Sequence, residues 1–516
     1  MPPTREEARV ARFRQIVDNV RSGSDVKTAS VRGGAYAGLA LGADFFIRMA
    51  STAVLARLLV PENFGLLAMV AAIAVVAERF KDLGLSLATV QSREITHQQV
   101  STLFWINGAL GIGTAMVVAG LSTPISVFYH DDRLVGITLA IASTFVWGGL
   151  TIQHEALLRR TMRFGLISGI GLGATIVSTV LAISLAAAGF GYWALVLREV
   201  CRSVLLAVGL WSACRWIPSL PVRQSGAGAM MRFGGHVALV QMMSMLGQNV
   251  GAIVIGRAFG AVPVGLYRQS QNFAQYPFDQ LSYPVWVVCE PALSRLQDEP
   301  EKYRRYFNQV LTLFSAITMP LAAFLVFYAD RIVLLIMGAK WIEATTIFQI
   351  IAIAAFITPV SNTIGLVMVT CGQTKRYMSL GLLGACVLVG LSILGTLWGP
   401  NGVASAYVCT ACLMLWPRLQ FGFKGTPVSR SLFLKVLARP LAASVGMAAA
   451  LLMLRTYVPL SSPGLDIALG MAAGFSMFAC CWLALPGGRA EVAQLSAHII
   501  EALRGRRGRG ELPVSG

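Results

Sequence analysis

Residues 54–69 read VLARLLVPENFGLLAM, and residues 254–269 read VIGRAFGAVPVGLYRQ. The two stretches match at an offset of 200 residues, at the pairs Arg57 and Arg257, Gly65 and Gly265, and Leu66 and Leu266. Each stretch joins two long apolar segments, so the match predicts an internal duplication. An ionisable side chain beside bilayer-length apolar sequence is costly unless it faces protein or water, which makes the paired arginines candidate functional residues.

The composition is that of an integral membrane protein. Of 516 residues, 56% are hydrophobic and only 13% are charged, whereas soluble domains are about 25% charged. A helix needs about 20 apolar residues to cross a bilayer core. The sequence contains about fourteen such stretches, at approximately 35–56, 64–87, 101–121, 134–152, 164–188, 191–213, 234–256, 263–289, 306–328, 345–369, 377–397, 402–417, 440–456 and 465–485.

The net charge of +18 follows the predicted topology. Lys and Arg concentrate in the N-terminal tail, in every second loop and in the tail after Arg489, which is the positive-inside pattern of an even number of spans with both termini in the cytoplasm. This distribution argues against a nucleic-acid partner.

The repeat predicts two lobes. Six spans separate its copies, so both copies run in the same direction and the lobes are related by a pseudo-twofold axis along the membrane normal. We therefore expect an all-α polytopic fold of about fourteen helices: two six-helix lobes and two C-terminal helices. The predicted divisions are a basic tail at 1–33, lobes at 34–213 and 234–421, a basic linker at 214–233, a helix pair at 422–486 and a basic tail at 487–516.

The chain offers little for catalysis or metal binding. Its nine cysteines and five histidines show no metal-ligand spacing. The loops predicted outside the cell are short, the longest being about 329–344. We therefore expect a non-enzyme with no catalytic residue, no metal and no cofactor. Gly169 and Gly173 lie four apart in a predicted span, a spacing typical of closely packed membrane helices.

Charged residues inside the predicted spans are the main functional candidates. Asp44 and Arg48 are four residues apart and share a helix face; they form either a packing ion pair or a cavity cation oriented by its carboxylate. Arg57 lies nearer the outer end of the same span. Glu78 is near the cytoplasmic end of the second span, where neutralised charge is the simpler interpretation.

Two polar stripes mark the start of the second lobe. Arg268, Asn272, Gln275 and Asp279 recur at intervals of four, three and four, which places them on one side of a helix. The preceding span carries a weaker stripe, formed by Gln241, Ser244, Gln248 and Asn249. Such stripes cannot face lipid, and amide and hydroxyl groups suit a sugar ligand.

The sequence resembles the Wzx-type polysaccharide flippases over roughly residues 35–485. The resemblance rests on ARLLVPENFGLLAM, DLGLSLATVQSREITHQQVSTLFWIN, PALSRLQDEPEKYRRYF, GAKWIEA and CGQTKRY, and it is nearest to the colanic-acid, succinoglycan and teichuronic-acid exporters of the multidrug/oligosaccharidyl-lipid/polysaccharide exporter superfamily. It implies fourteen helices, a location in the bacterial inner membrane and an undecaprenyl-pyrophosphate-linked oligosaccharide as cargo. The implied partners are this lipid, the surrounding membrane lipids and the polymerase or chain-length machinery of the same pathway.

With this cargo, the charged residues have expected roles in binding the pyrophosphate, in gating and in ion coupling. Arginine binds phosphate oxygens in a bidentate manner and stays charged. We expect Arg48 and Arg268 to hold the pyrophosphate, with Arg57 and Arg257 acting at an outer gate or during release. Asp44, Glu78 and Asp279 are the candidates for coupling to H⁺ or Na⁺.

Two alternatives remain open. A multidrug-type cation antiporter of the same superfamily would need a cavity of net negative charge, and a polysaccharide polymerase or ligase would need a large outer loop with catalytic residues.

Overall fold

The protein is helical throughout the part of the chain that the structure, a computed structural model, describes: residues 9–11, 13, 23–78, 81–82, 84–92, 95–221, 249–458 and 462–489. These ranges contain no β-strand. The helices are α1 (Gly23–Leu58), α2 (Pro61–Glu78), α3 (Leu85–Gln91), α4 (His97–Gly120), α5 (Ser122–Tyr129), α6 (Arg133–Gly149), α7 (Ile152–Arg160), α8 (Phe164–Ala187), α9 (Tyr192–Cys214), α10 (Asn249–Phe259), α11 (Ala261–Arg295), α12 (Pro300–Phe327), α13 (Ala329–Ile336), α14 (Ala344–Thr370), α15 (Thr374–Gly395), α16 (Gly399–Gly422), α17 (Arg430–Tyr457) and α18 (Pro463–Ala484).

The helices confirm the prediction of an all-α multi-pass membrane fold. Among the described residues, eight helical stretches are long and apolar enough to cross a membrane, and α6 with α7, bent by 40°, forms a ninth. α1, α9 and α11 are not among them. Every one of the fourteen predicted stretches overlaps a helix, so the predicted count is consistent with the structure.

Local sequence sets several helix ends. At α4, the Thr96 hydroxyl accepts from the Gln99 backbone N–H (3.2 Å) while the Gln99 side chain accepts from the Thr96 N–H (2.9 Å). This capping box satisfies two backbone donors that a helix start leaves open. Proline occupies the first position of α2, α12 and α18, where its missing N–H costs nothing.

The chain divides into two compact units, Met1–Arg268 and Gln269–Gly516. In the first unit, α8 packs against α1 and α9, and α6 packs against α2, α4 and α9. In the second, α16 packs against α14 and α15, while the terminal pair α17–α18 packs against α12 and α13. Residues 222–233 of the predicted linker lie outside the described residues, so the predicted boundary between lobes stays a prediction.

The two copies of the repeat meet inside the first unit. A Cβ atom at Gly65 of α2 would overlap the carbonyl oxygen of Ala261, and one at Gly265 of α11 would overlap the carbonyl oxygen of Pro61. The contact is reciprocal at the 200-residue offset, since Gly65 meets Ala261, the counterpart of Pro61, and Gly265 meets Pro61 itself. Only glycine allows two helix backbones to approach this closely.

Gly169 and Gly173 behave differently from the packing prediction made for them. Within the described part of the chain, a Cβ atom at either position would have no heavy atom within 4 Å. Their four-residue spacing therefore does not mark a close helix contact with any of the described residues.

Candidate functional site

A group of charged side chains lies on α1 and α9 of the first unit. The Arg48 Nε donates to Asp44 Oδ2 at 2.5 Å, and the Thr175 hydroxyl of α8 donates to Asp44 Oδ1 at 3.2 Å. The i, i+4 pairing predicted from the sequence is therefore present in the structure. Both side chains are only half-buried, so the pair is anchored to α8 on one side and open on the other.

α9 adds three charged residues to this group. Arg198 Nη2 lies 2.8 Å from Glu199 Oε1, and Glu199 also lies within electrostatic range of Arg202 and of Arg48. The Nε of Arg202 is buried and has no hydrogen-bond partner among the described residues. We call the five residues of α1 and α9, namely Asp44, Arg48, Arg198, Glu199 and Arg202, the charge cluster. Three arginines against two carboxylates give it one excess positive charge.

Arg268, the second predicted pyrophosphate ligand, lies near the start of α11. Arg268 Nη2 donates to the buried Asn249 Oδ1 at 2.9 Å, which joins two of the predicted residues. Gln241, Ser244 and Gln248 lie outside the described residues, so their part of the predicted stripe stays a prediction.

Arg57 and Arg257 are exposed on the first unit. The Arg257 guanidinium lies 5.7 Å from the centre of the Phe128 ring, a cation–π distance. The two residues occupy equivalent positions, in the last turns of α1 and α10. Their predicted role in gating or release stays a prediction.

Glu78 and Asp279, the other two candidates for ion coupling, have different surroundings. The exposed Glu78 pairs with Lys81 at 2.6 Å, as expected of neutralised charge at a helix end. Asp279 is exposed on α11 and has no ion-pair partner in the described part of the second unit.

A chain of polar side chains runs along α11, α14 and α16 in the second unit. Tyr407 of α16 lies beside Gln275 and Thr358 and within electrostatic range of Asp279 and Arg418. Further along, Arg418 Nη1 donates to the Ser361 hydroxyl at 3.0 Å and to Asn362 Oδ1 at 3.4 Å. We call this set the polar ladder; its members are Gln275, Asp279, Thr358, Ser361, Asn362, Tyr407 and Arg418. Asn272, which lies one turn earlier on α11, is exposed and donates to Gln269.

The prediction from sequence missed Arg418. It ended the span at residue 417, but α16 continues to Gly422. The error arose because Pro417 and Arg418 look like the end of a span, whereas proline remains inside the helix here. The apolar residues Leu419 and Phe421, which continue the helix, are the signal that could have identified it.

No metal centre accompanies these groups within the described ranges, where no three His, Cys, Asp or Glu side chains come together. The nine cysteines are all free. The arrangement can bind anions and hydroxyl-rich groups.

A profile of the family described as polysaccharide biosynthesis proteins matches residues 54–346, which is more than half of the chain. The chain belongs to this family. The family's matched region contains both copies of the repeat and the three residues of the charge cluster on α9, while Asp44 and Arg48 precede it. The resemblance inferred from sequence is confirmed.

Curated relatives have related names. The chain is 27% identical to an uncharacterised membrane protein of the cps region of Klebsiella pneumoniae, over 69% of this chain and 73% of that protein. It is 26% identical to the lipopolysaccharide biosynthesis protein WzxC of Escherichia coli, over 60% and 64% of the two chains. It is 23% identical to the succinoglycan biosynthesis transport protein ExoT of Rhizobium meliloti, over 78% and 82%.

Solved structures show the same fold at low identity. The lipid II flippase MurJ in an inward closed conformation matches with a TM-score of 0.70 and 13% identity, over 86% of this chain and 97% of that one. An inward-facing multidrug resistance transporter of the MATE family matches with a TM-score of 0.54 and 13% identity, over 76% and 96%. At this identity the matches establish a transporter-type fold and nothing about the ligand.

Proposed function

We propose that this family member is a flippase that moves a lipid-linked oligosaccharide, the repeat unit of a bacterial polysaccharide on undecaprenyl pyrophosphate, from the cytoplasmic to the outer leaflet of the inner membrane. The names of its relatives support a role in polysaccharide biosynthesis and transport. The substrate is moved without covalent change. Both termini lie in the cytoplasm under this proposal.

The excess positive charge of the charge cluster is the observation that carries the proposal. A pyrophosphate that leaves water must exchange its hydration for fixed cations, and arginine supplies planar, permanently charged donors for its oxygens. A cation exporter would need the opposite sign. The MATE-like fold alone therefore does not favour drug export for this chain.

Arg48 is the preferred pyrophosphate ligand. Its Nε is bound to Asp44, which orients the guanidinium while its Nη donors stay available. Arg268 is the second proposed ligand, and its bond to Asn249 gives it the same kind of orientation. The amide and hydroxyl groups of the polar ladder and Asn272 are the proposed sugar contacts.

Asp279 is the preferred residue for ion coupling. Asp44 is occupied by Arg48 and Thr175, and Glu78 by Lys81. Within the described residues Asp279 has no cation beside it, so its carboxylate is the one open to exchange with H⁺ or Na⁺. We propose that a gradient of one of these ions drives transport by alternating exposure of the charged groups to the two sides of the membrane.

A complementation experiment tests the function. In a strain that lacks the gene, lipid-linked repeat units should accumulate and polymer export should stop; the wild-type chain should restore export. The same cells should show no change in resistance to cationic drugs. Restored drug resistance without restored polymer export would contradict the proposal and favour the cation-exporter alternative.

A further inference from the structure

Arg418 is an arginine within a membrane-type helix, and its depth can be read from its neighbours. Gly422, the last residue of α16, packs against Ile364 and Met368 of α14. Ile364 precedes the end of α14 at Thr370 by six residues, or about 9 Å at 1.5 Å per residue. Arg418 lies one turn further in, so it is about 13 to 15 Å from the level where α14 ends.

Among the described residues, Arg418 bonds only neutral groups. One guanidinium nitrogen donates to the Ser361 hydroxyl and to the Asn362 amide oxygen. Tyr377 and Tyr407 are its only electrostatic neighbours among the described residues of this unit. A guanidinium has five N–H donors, so most of its hydrogen-bonding capacity is unused.

The arginines of the charge cluster have carboxylates nearby, which sets Arg418 apart. Arg48 is bound to Asp44 and Arg198 to Glu199, and Arg202 is in electrostatic range of Glu199. Arg418 has no carboxylate within ion-pair distance in the described part of the chain. A permanent cation at this depth without a counter-charge is costly, which marks it as a candidate binding group.

One side of the Arg418 guanidinium is open. Ser361 is buried but Asn362 is exposed, and Arg418 itself is half-buried. In a membrane the open side faces lipid, water or a ligand. Hydrocarbon cannot solvate an arginine, so this side must meet water or an oxyanion.

We propose that Arg418, with Ser361 and Asn362, forms a phosphate-binding site on the cytoplasmic side of the second unit. Its ligand is the phosphate group either of the lipid-linked substrate, in which case the site rests on the proposed function, or of an anionic lipid of the inner leaflet. The arginine supplies the charge, and Ser361 and Asn362 hold it in place while their remaining donors complete the site.

The polar ladder gives such a site a place in transport. Tyr407 precedes Arg418 by eleven residues on α16, or about three turns, so both lie on the same side of that helix. Thr358 and Ser361 are one turn apart on α14. A phosphate held at Arg418 would therefore leave attached sugars next to the hydroxyl and amide groups further along the ladder.

Binding measurements on the purified full-length chain test the site. The variants are Arg418→Gln, which keeps a donor for Ser361, and Arg418→Lys, which keeps the charge. The matched control is Arg430→Gln, since Arg430 is an exposed cation at the same end of the unit and bonds Gln420. The probes are geranylgeranyl diphosphate, geranylgeraniol without phosphate, and phosphatidylglycerol in nanodiscs, the first two followed by thermophoresis and the third by native mass spectrometry.

We expect Arg418→Gln to weaken binding of at least one phosphate probe about tenfold. Arg418→Lys should recover part of the loss, Arg430→Gln should match wild type, and geranylgeraniol should not distinguish the variants. A loss confined to geranylgeranyl diphosphate assigns the site to substrate, and one confined to phosphatidylglycerol assigns it to a membrane lipid.

The failure of this site and the failure of the proposed function have different signatures. If Arg48→Ala weakens diphosphate binding while Arg418→Gln changes neither phosphate probe, the site is wrong and the function stands. If wild type binds phosphatidylglycerol through Arg418 but does not bind the diphosphate, the site stands and the proposed function is wrong. Ser361→Ala, expected to weaken binding less than Arg418→Gln, provides a second readout if the latter variant is unstable.

Discussion

The charge cluster of the first unit pairs its opposite charges, whereas the polar ladder of the second unit keeps them apart. In the cluster, each carboxylate lies beside an arginine, and one positive charge is left over. In the ladder, Asp279 and Arg418 are separate, with the neutral Tyr407 between them. Paired charges give a rigid centre of fixed sign, whereas isolated charges are free to accept a ligand or an ion. Under the proposed function, the cluster binds the pyrophosphate of the substrate and the ladder exchanges an ion or a phosphate.

Arg48→Ala should have the largest effect, a loss of polymer export of at least about a hundredfold at equal membrane abundance. The variant removes a charge-assisted contact to the pyrophosphate and leaves Asp44 unpaired. Arg133→Ala is the control, since that arginine pairs with Glu62 and Asp131 outside the spans. The double variant Asp44→Asn with Arg48→Ala separates the two causes: recovered export would mean that only the unpaired carboxylate matters.

The close crossing of the repeat copies predicts the next largest effect. Gly65→Ala places a methyl group on the carbonyl of Ala261, and overpacking of this kind costs about 1 to 3 kcal/mol. We expect a lower unfolding temperature and a lower yield in detergent. Gly169→Ala adds the same methyl group where nothing is within 4 Å, and should leave both unchanged. Equal behaviour of the two variants would show that the crossing is not tight.

Asp279→Asn should have a more selective effect. Because Asp279 lacks an ion-pair partner among the described residues, we expect the variant to bind substrate normally and to lose the response of transport to an imposed pH or sodium gradient. Glu78→Gln is the matched control, since Lys81 already neutralises that carboxylate. A gradient response that survives in Asp279→Asn would move coupling back to Asp44.

The smallest effect concerns pH and the loop before α6. Hydrogen bonding to Arg133 holds the pKa of Asp131 below its usual value. A carboxylate with a lowered folded-state pKa stabilises the fold above its unfolded pKa, and this contribution disappears as pH falls through the folded value. Asp131→Asn should therefore cost less than about 1 kcal/mol at pH 7 and nothing at a pH well below the ordinary carboxyl range. Thermal unfolding at both pH values measures it; an equal cost at both would contradict the assignment.

The spacing of residues predicted contacts within one helix better than contacts between helices. Asp44 and Arg48 are paired as their four-residue spacing indicates. The position of Thr175 beside Asp44 depends on how α8 packs against α1, which no local pattern reports. Arg418 was missed for a related reason, because apolar sequence marks where a helix leaves the bilayer but not how far it extends against its neighbours. The glycine pairs show the same limit, since Gly65 is in close contact and Gly169 is not.

The most direct test of the central claim is flipping by the purified protein in proteoliposomes. A fluorescent polyprenyl-diphosphate oligosaccharide is placed in one leaflet, and its appearance in the other is followed for wild type, Arg48→Ala and Arg133→Ala. We expect movement with wild type and Arg133→Ala and movement at the protein-free rate with Arg48→Ala. Movement by Arg48→Ala at the wild-type rate would contradict the claim that this arginine holds the diphosphate.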